Sequence, residues 1–368
     1  MQEPIRRTLR PEDARRSNRA LVLQAIYNES GLSRADIARA TGLTKVTVSD
    51  LVAELIAADL VAEAGTSDST RPGKPSTLLG FNAAARDILA MDLSARDQLR
   101  GAVLSLRGEP LLTRTRPLDG AFGDDALAAA RELAAELRDA ATHPVLGLGV
   151  GTPGTVNTAG TVLAAPNLRW HNLPLQEILH DDLDLPVRVE NDANVAVLAE
   201  RRFAGGPDDL VRIQLSRGVG AGLLVGGRLV HGATSDAGEI GHVVVDEAGG
   251  PCPCGKVGCL ETWASVPALT ARIQADPTHS DTLLADAGHR LGLALAPVVG
   301  MLGLQHIVIG GPATIATAPL LDAARDCISE RTRSEFRPEL ELTASPLGAD
   351  AVLLGAAALV LLGELGIG

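Results

Sequence analysis

One imidazole and three thiols, His242, Cys252, Cys254 and Cys259, fall at the spacing H-x9-C-x-C-x4-C, and no other stretch limits the folding of this chain as tightly. Pro251, Pro253, Gly255 and Gly258 keep the segment out of regular helix or strand and permit a tight loop. Three thiolates and one imidazole complete a tetrahedral shell with no corner left for a catalytic water, so a structural Zn2+ is the preferred occupant. The alternative is a cluster of reduced, buried thiols. Four cysteines in 368 residues do not make a disulfide framework. The fourth, Cys327, lies in a predicted helix and reads as a small buried hydrophobe.

Charge divides the chain in two. The first eighty residues hold 11 Lys+Arg against 10 Asp+Glu, and the remaining 288 hold 22 against 35, so the net charge of -12 belongs to the larger part. Hydrophobic residues at 46% and charged residues at 21% are the proportions of a globular protein and exclude a disordered chain. No run of about 18 uninterrupted apolar residues occurs and the first residues hold no apolar signal core, so the expectation is a cytoplasmic protein without a membrane span.

The near-neutral part predicts three helices. Leu21, Val22, Ala25 and Ile26 give one buried face over about Glu12 to Asn28. Ser33 can cap a short helix over Arg34 to Ala40, Gly42 makes a turn, and Thr44 can cap a third helix with Val48, Leu51, Val52 and Leu55 on its apolar stripe. Two short apolar runs around GTSDSTRPGKPS then predict a β-hairpin, which makes a winged helix-turn-helix. The second helix of such a pair enters the DNA major groove with its first turns. Lys45, Thr47 and Ser49 are the candidate readers, with Thr44 available to a phosphate; Arg71 and Lys74 in the wing suit a narrow minor groove or its phosphates. Six arginines among residues 6–19 add further candidates for phosphate. Asp50, beside the reading surface, counts against DNA, and a small oligomerisation or protein-binding module is the competing reading.

The acidic part alternates strand and helix. Strands are expected at Ile88–Asp92, Ala102–Leu106, Leu111–Arg116, Val145–Val150, Val187–Glu190, Val211–Leu215 and Ile307–Ile309, and helices at Asp124–Ala140, Asn194–Phe203, Leu283–Leu302 and Ala351–Leu362. That order implies an α/β body with ligands at strand ends. Gly149 to Gly154, Gly218 to Gly222 and Gly310-Gly311-Pro312 read as glycine-rich turns, either approaching a ligand or simply joining strand to helix. Glu190-Asn191-Asp192-Ala193-Asn194 sets a carboxylate among amides where a strand ends, suited to sugar hydroxyls; the alternative makes Asp192 or Asn194 a helix cap.

Ala237-Gly238-Glu239-Ile240-Gly241-His242, the segment Cys252 to Glu261, Glu190 to Asn194 and Gly218 to Gly222 together resemble the ROK family of bacterial sugar kinases and sugar-responsive repressors, from about residue 86 onward. A winged helix-turn-helix ahead of that region is the arrangement of the repressor branch. The resemblance implies an α/β fold: a DNA-binding module over 1–80, then an actin-like, two-lobed sensor domain over 81–368 related to sugar kinases and Hsp70. Lobe one would span about 86–195 plus the C-terminal helix, and lobe two about 196–350. It also implies sugar contacts at Asn191, Asp192, Glu239, His242 and Glu261 with Gly154 close by, Asp192 standing at the kinase base position. His242 would then face zinc with one nitrogen and sugar with the other.

One departure bears on activity. Where kinase members carry a glycine-rich, threonine-containing phosphate loop, this chain reads Asp92-Leu93-Ser94-Ala95-Arg96-Asp97, and the second phosphate loop reads Ser216-Arg217-Gly218. Without glycine the backbone cannot approach ATP, which speaks for a sensor with no enzymatic activity. The expected protein is a homodimeric or homotetrameric repressor of carbohydrate genes that binds a palindromic operator and responds to a sugar or sugar derivative. The alternatives are a sugar kinase with a DNA-binding appendage, and a regulator signalled by a protein partner.

Overall fold

The computed structural model describes residues 11–66, 76–332 and 339–368. The chain opens with α1 (Pro11–Asn28), β1 (Leu32–Ser33), α2 (Arg34–Thr41), α3 (Lys45–Ala57), β2 (Val61–Thr66) and β3 (Thr77–Phe81), the strands pairing antiparallel in the order β1-β3-β2. Ser33 and Asp36 cap α2 reciprocally, the Ser33 hydroxyl accepting from the Asp36 amide and the Asp36 carboxylate accepting from the Ser33 amide. Gly42 stops α2 in the left-handed conformation at φ 71°, which a β-carbon would strain. The apolar face of α1 is turned by one residue from the expected one. Leu21 is exposed, and Val22, Leu23, Ile26 and Tyr27 are buried. That set has the same helical spacing, and a contact beyond the module selects it. The wing tip with Arg71 and Lys74 lies outside the described residues.

Two five-stranded sheets of one construction follow. The first is built from β4 (Asp87–Asp92), β5 (Gln98–Ser105), β6 (Pro110–Pro117), β7 (Val145–Thr152) and β11 (Val187–Asn191), in the order β11-β7-β4-β5-β6. Helix α4 (Asp124–Ala140) precedes β7. A small sheet of β8 (Thr155–Val156), β9 (Val162–Ala165) and β10 (Trp170–Leu173), then α5 (Leu175–Leu183), lies between β7 and β11; none of these four elements was expected. The second sheet takes β12 (Leu210–Leu215), β13 (Val219–Val225), β14 (Arg228–Leu229), β15 (His306–Gly310) and β16 (Glu341–Ala344), in the order β14-β13-β12-β15-β16. Each sheet starts as a three-stranded antiparallel meander and adds two parallel strands beside its first strand. Helices α7 (Glu261–Ala264), α8 (Val266–Ala275), α9 (Ser280–Leu302) and α10 (Ala318–Arg331) serve the second sheet.

Helices α6 (Asp192–Phe203) and α11 (Ala351–Val360) cross between the sheets, α11 lying on β4, β7 and β11 and α6 on β12 and β13. Their closeness corrects two glycine-rich turns. Gly149 and Gly151 belong to strand β7, and Gly220 and Gly222 to strand β13. A β-carbon at Gly149 would collide with the Ala356 carbonyl of α11, and one at Gly222 with the Ala193 carbonyl of α6. Packing, and not ligand approach, requires glycine there. The segment Gly348–Leu365 is apolar and long enough to cross a membrane by composition, yet over half of it is buried inside the protein, which is the pattern of a core helix.

The N-terminal module has no separate core. Val22, Leu23, Ile26 and Tyr27 join one buried cluster with Ile88 and Leu104 of the first sheet, Leu106 just past β5, and Leu353, Val360 and Leu361. The Tyr27 hydroxyl donates to the Leu106 carbonyl at 3.0 Å, and Arg107 and Arg202 stack on its ring at 4.3 and 3.8 Å. The Gly368 amide donates to Gln24 at 2.9 Å.

Candidate functional site

A cavity of about 520 Å³ opens between the two sheets, and it is lined by all six residues expected at a sugar site: Gly154, Asn191, Asp192, Glu239, His242 and Glu261. Asn191 caps α6. Its side-chain oxygen accepts from the amides of Ala193 and Asn194 at 2.9 and 3.1 Å, and its side-chain nitrogen donates to the Gly154 carbonyl at 2.9 Å. The cap is therefore neither Asp192 nor Asn194, because the helix begins at Asp192, two residues earlier than the pattern indicates. Asp192 starts the helix, facing the cavity. Burial, reinforced by the nearby charge of Asp92, pushes its carboxyl up to about 7. Burial also raises Asp92, against the stabilising bonds it accepts from the Ser94 amide and hydroxyl at 2.9 and 2.6 Å.

Glu239 precedes a single helical turn, Ile240–His242, and burial raises its carboxyl too. Glu261 opens α7 and accepts from the Val219 amide at 3.2 Å. Two contributions escaped sequence reasoning, a pair of lining residues and a bond between the lobes. Pro166 and Asn167 reach the cavity from the unexpected small sheet. Glu190, at the end of β11, accepts from His231 of the second lobe at 2.6 Å, and from the Asn191 amide and Asn194 side chain at 2.8 and 3.0 Å. That bond ties the two lobes beside the cavity and raises the His231 imidazole above its usual range. Glu190 was visible in its motif, whereas nothing near His231 in sequence marks it.

The phosphate-loop positions are occupied internally. The Leu93 amide donates to the Gly151 carbonyl and the Leu93 side chain is fully buried, while the Ser94 amide serves Asp92. At the second loop the Ser216 amide donates to Gly218 and the Val219 amide to Glu261.

His242, Cys252, Cys254 and Cys259 converge, their ligand atoms all within 4.8 Å of one another. The Cys254 and Cys259 sulfurs are 3.7 Å apart, and the Cys252 sulfur is 3.6 Å from His242 Nδ1. A tetrahedron with ordinary zinc–sulfur and zinc–nitrogen bonds has edges of about 3.8 and 3.6 Å, so the donor set fits such an ion. With Nδ1 among the sulfurs, Nε2 lies 3.9 Å from Glu239, on the cavity side. Arg272 and Arg290 sandwich Trp263 at 4.1 and 3.5 Å, and Arg290 also reaches Asp246 at 3.4 Å, which braces the loop from behind.

The sequence model of the ROK family matches residues 96–362, and that of the MarR family matches residues 15–71. The chain belongs to the ROK family. The xylose repressor of Caldicellulosiruptor bescii is 30% identical, with 94% of this chain and 95% of the repressor covered. A solved ROK family transcriptional regulator, a homologue of the E. coli Mlc protein, superposes with a TM-score of 0.82 at 28% identity, covering 96% of this chain and 98% of that one. A ROK family glucokinase from Streptomyces griseus, solved with glucose and AMPPNP, superposes at 0.64 with 27% identity over 74% of this chain and 98% of the enzyme. The expected architecture holds in this ROK protein: a MarR-type winged helix-turn-helix ahead of an actin-like, two-lobed body.

On the ROK protein's helix-turn-helix, Thr44 caps α3 by accepting from the Thr47 amide at 3.2 Å, and the two hydroxyls bond to each other at 2.9 Å. Thr47 is thereby drawn half into the surface. Lys45, Val46, Ser49 and Asp50 are exposed on the first two turns. Val46 had not been singled out.

Proposed function

We propose that this chain represses genes of carbohydrate uptake or metabolism, binding an operator through residues 1–80 and responding to a sugar held in the cavity of residues 81–368. The observation that carries the reading is helix α6. Its first turn, Asn191 and Asp192, lies in the cavity, and its last turn carries Arg202, stacked on Tyr27 of α1. Sugar hydroxyls would bond Asn191, Asp192, Glu239, His242 and Glu261, with Gly154 beside them. A change at one end of α6 then reaches the DNA-reading module about 18 Å away without crossing a flexible linker. Thr44, Lys45, Thr47 and Ser49, with Arg71 and Lys74 of the wing, are the proposed DNA contacts.

His242, Cys252, Cys254 and Cys259 would hold a structural Zn2+, which would close the loop and fix the orientation of the His242 ring. A homodimer or homotetramer would place two reading helices on a two-fold operator in the cytoplasm. Similarity to xylose repressors puts xylose first among effectors, and similarity to a glucose-bound ROK glucokinase puts glucose second. The test is a gel-shift series on a duplex that the full chain selects from a random-sequence pool, titrated with each sugar. A several-fold change in operator affinity with one sugar is expected; constant affinity across the panel would remove the sensor half.

Asp192 favours a second reading, since a carboxylate with its pKa at about 7 is suited to accept a hydroxyl proton. A kinase would show sugar-dependent ATP turnover that Asp192→Asn abolishes. Because the amides of Leu93, Ser94, Ser216 and Val219 are all engaged within the protein, no turnover is expected.

A further inference from the structure

Among the exposed side chains of α3, Val46 stands out, 72% accessible at the second position of the helix. Lys45, Ser49 and Asp50 around it are polar and also exposed, and the apolar stripe of the helix, Val48, Leu51, Val52 and Leu55, faces away into the core. The isopropyl group is therefore not part of any packing within the module. Asp50 sits one turn further on the same face, about 6 Å along the axis, or close to two base-pair steps. Its carboxylate has no ion-pair partner among the described residues; Arg15, whose charge it feels, is bonded to Glu54.

A surface that approaches DNA must give each of these groups a partner of its own chemistry. In the major groove the one exposed apolar group on a base edge is the thymine 5-methyl. A carboxylate is repelled by phosphates and by the acceptors of guanine, and is matched by the cytosine N4 amino donor. We infer that Val46 and Asp50 set the sequence preference of this repressor, Val46 packing on a thymine methyl and Asp50 accepting from the amino group of a cytosine one or two base pairs away in each half-site. Asp50, which counted against DNA when only charge was considered, becomes a reader of bases, and Lys45 on the adjoining edge is left for the phosphates. The assignment rests on the operator-binding reading above.

The experiment uses the full chain and a duplex it selects from a random-sequence pool. Each thymine of a half-site is replaced singly by deoxyuridine, which removes the methyl and nothing else. One position is expected to lose about fourfold in affinity, the worth of one buried methyl, and Val46→Ala should bind the thymine and uracil duplexes equally. Asp50→Asn should move the preference at the neighbouring position from cytosine toward adenine, whose edge an amide matches. Both side chains project from the surface, so folding is not at stake. If no uracil substitution matters to the native protein, or if the discrimination survives in Val46→Ala, the thymine contact is wrong. An unchanged cytosine preference in Asp50→Asn overturns the second contact. A pool that yields no enriched sequence overturns operator binding itself, and both contacts with it.

Discussion

Asp192 is the residue whose chemistry is most open to measurement. A sugar hydroxyl donates to a carboxylate and not to the protonated acid's hydroxyl, so ligand affinity should follow ionisation of this group. With the carboxyl held at about 7, sugar affinity rises as pH climbs from about 6 to 8 and levels off above. Well below 7 the loss approaches about tenfold per pH unit. Calorimetry across that range checks it, and Asp192→Asn should bind weakly with no such slope. Cys254 offers a second test, because it is the exposed member of its cluster and Ser replaces it without a packing cost. Cys254→Ser should carry less than one zinc per chain and bind sugar more weakly, since the loop it closes positions His242; full metal content in the variant would contradict the ligand assignment. That His242, Cys252, Cys254 and Cys259 would converge was plain from spacing alone, because a cation allows few arrangements. The Asn191 cap was not, because three adjacent polar residues all suit a helix start and only the end of β11 decides among them.

At the scale of elements, the amphipathic helices were legible and the expected strands had ends within a residue or two of the observed ones, except β5, which begins four residues before Ala102. The helix at Asp124–Ala140 falls where its alanine-rich pattern places it. The two misread turns share one physical source: glycine in a strand carries no side chain to alternate, so Gly149 and Gly222 read as turns although they are the floor on which α11 and α6 lie. Gly149→Ala should therefore cost at least about 1–3 kcal/mol in a denaturant titration, the range of overpacked cores. A neutral result would show that α11 can move aside. The small sheet from Thr155 to Leu173 was missed because strands of two to four residues are too short to show a period. For α6, Arg202→Ala should leave sugar binding and operator binding each nearly intact while shrinking the factor by which one alters the other. If that factor survives, the signal travels by another route.

The molecule as a whole divides by charge and not by packing. Composition led to the expectation of a boundary near residue 80, yet the buried cluster that includes Leu23 and Ile26 continues into Ile88, Leu106 and Leu353. Periodicity reports which face of a helix is buried but is silent on what buries it, which is why the docking of α1 could not be read from its pattern. A fragment of residues 1–85 should consequently lack a cooperative melt under conditions where the full chain has one; an independent transition in the fragment would show the core to be separable. Besides α2, α3 and β3, the buried cluster that holds α1 takes in residues more than 320 positions downstream, among them Leu353 and Leu361, and Gln24 of α1 bonds Gly368. A ribosome adds about 5–20 residues each second, so the DNA reader emerges on the order of tens of seconds before its seat is complete. Through that interval α1 can pack on α2, α3 and β3, and Tyr27 on Phe81, but the side that meets the C-terminal residues stays open to water until the rest of the chain arrives.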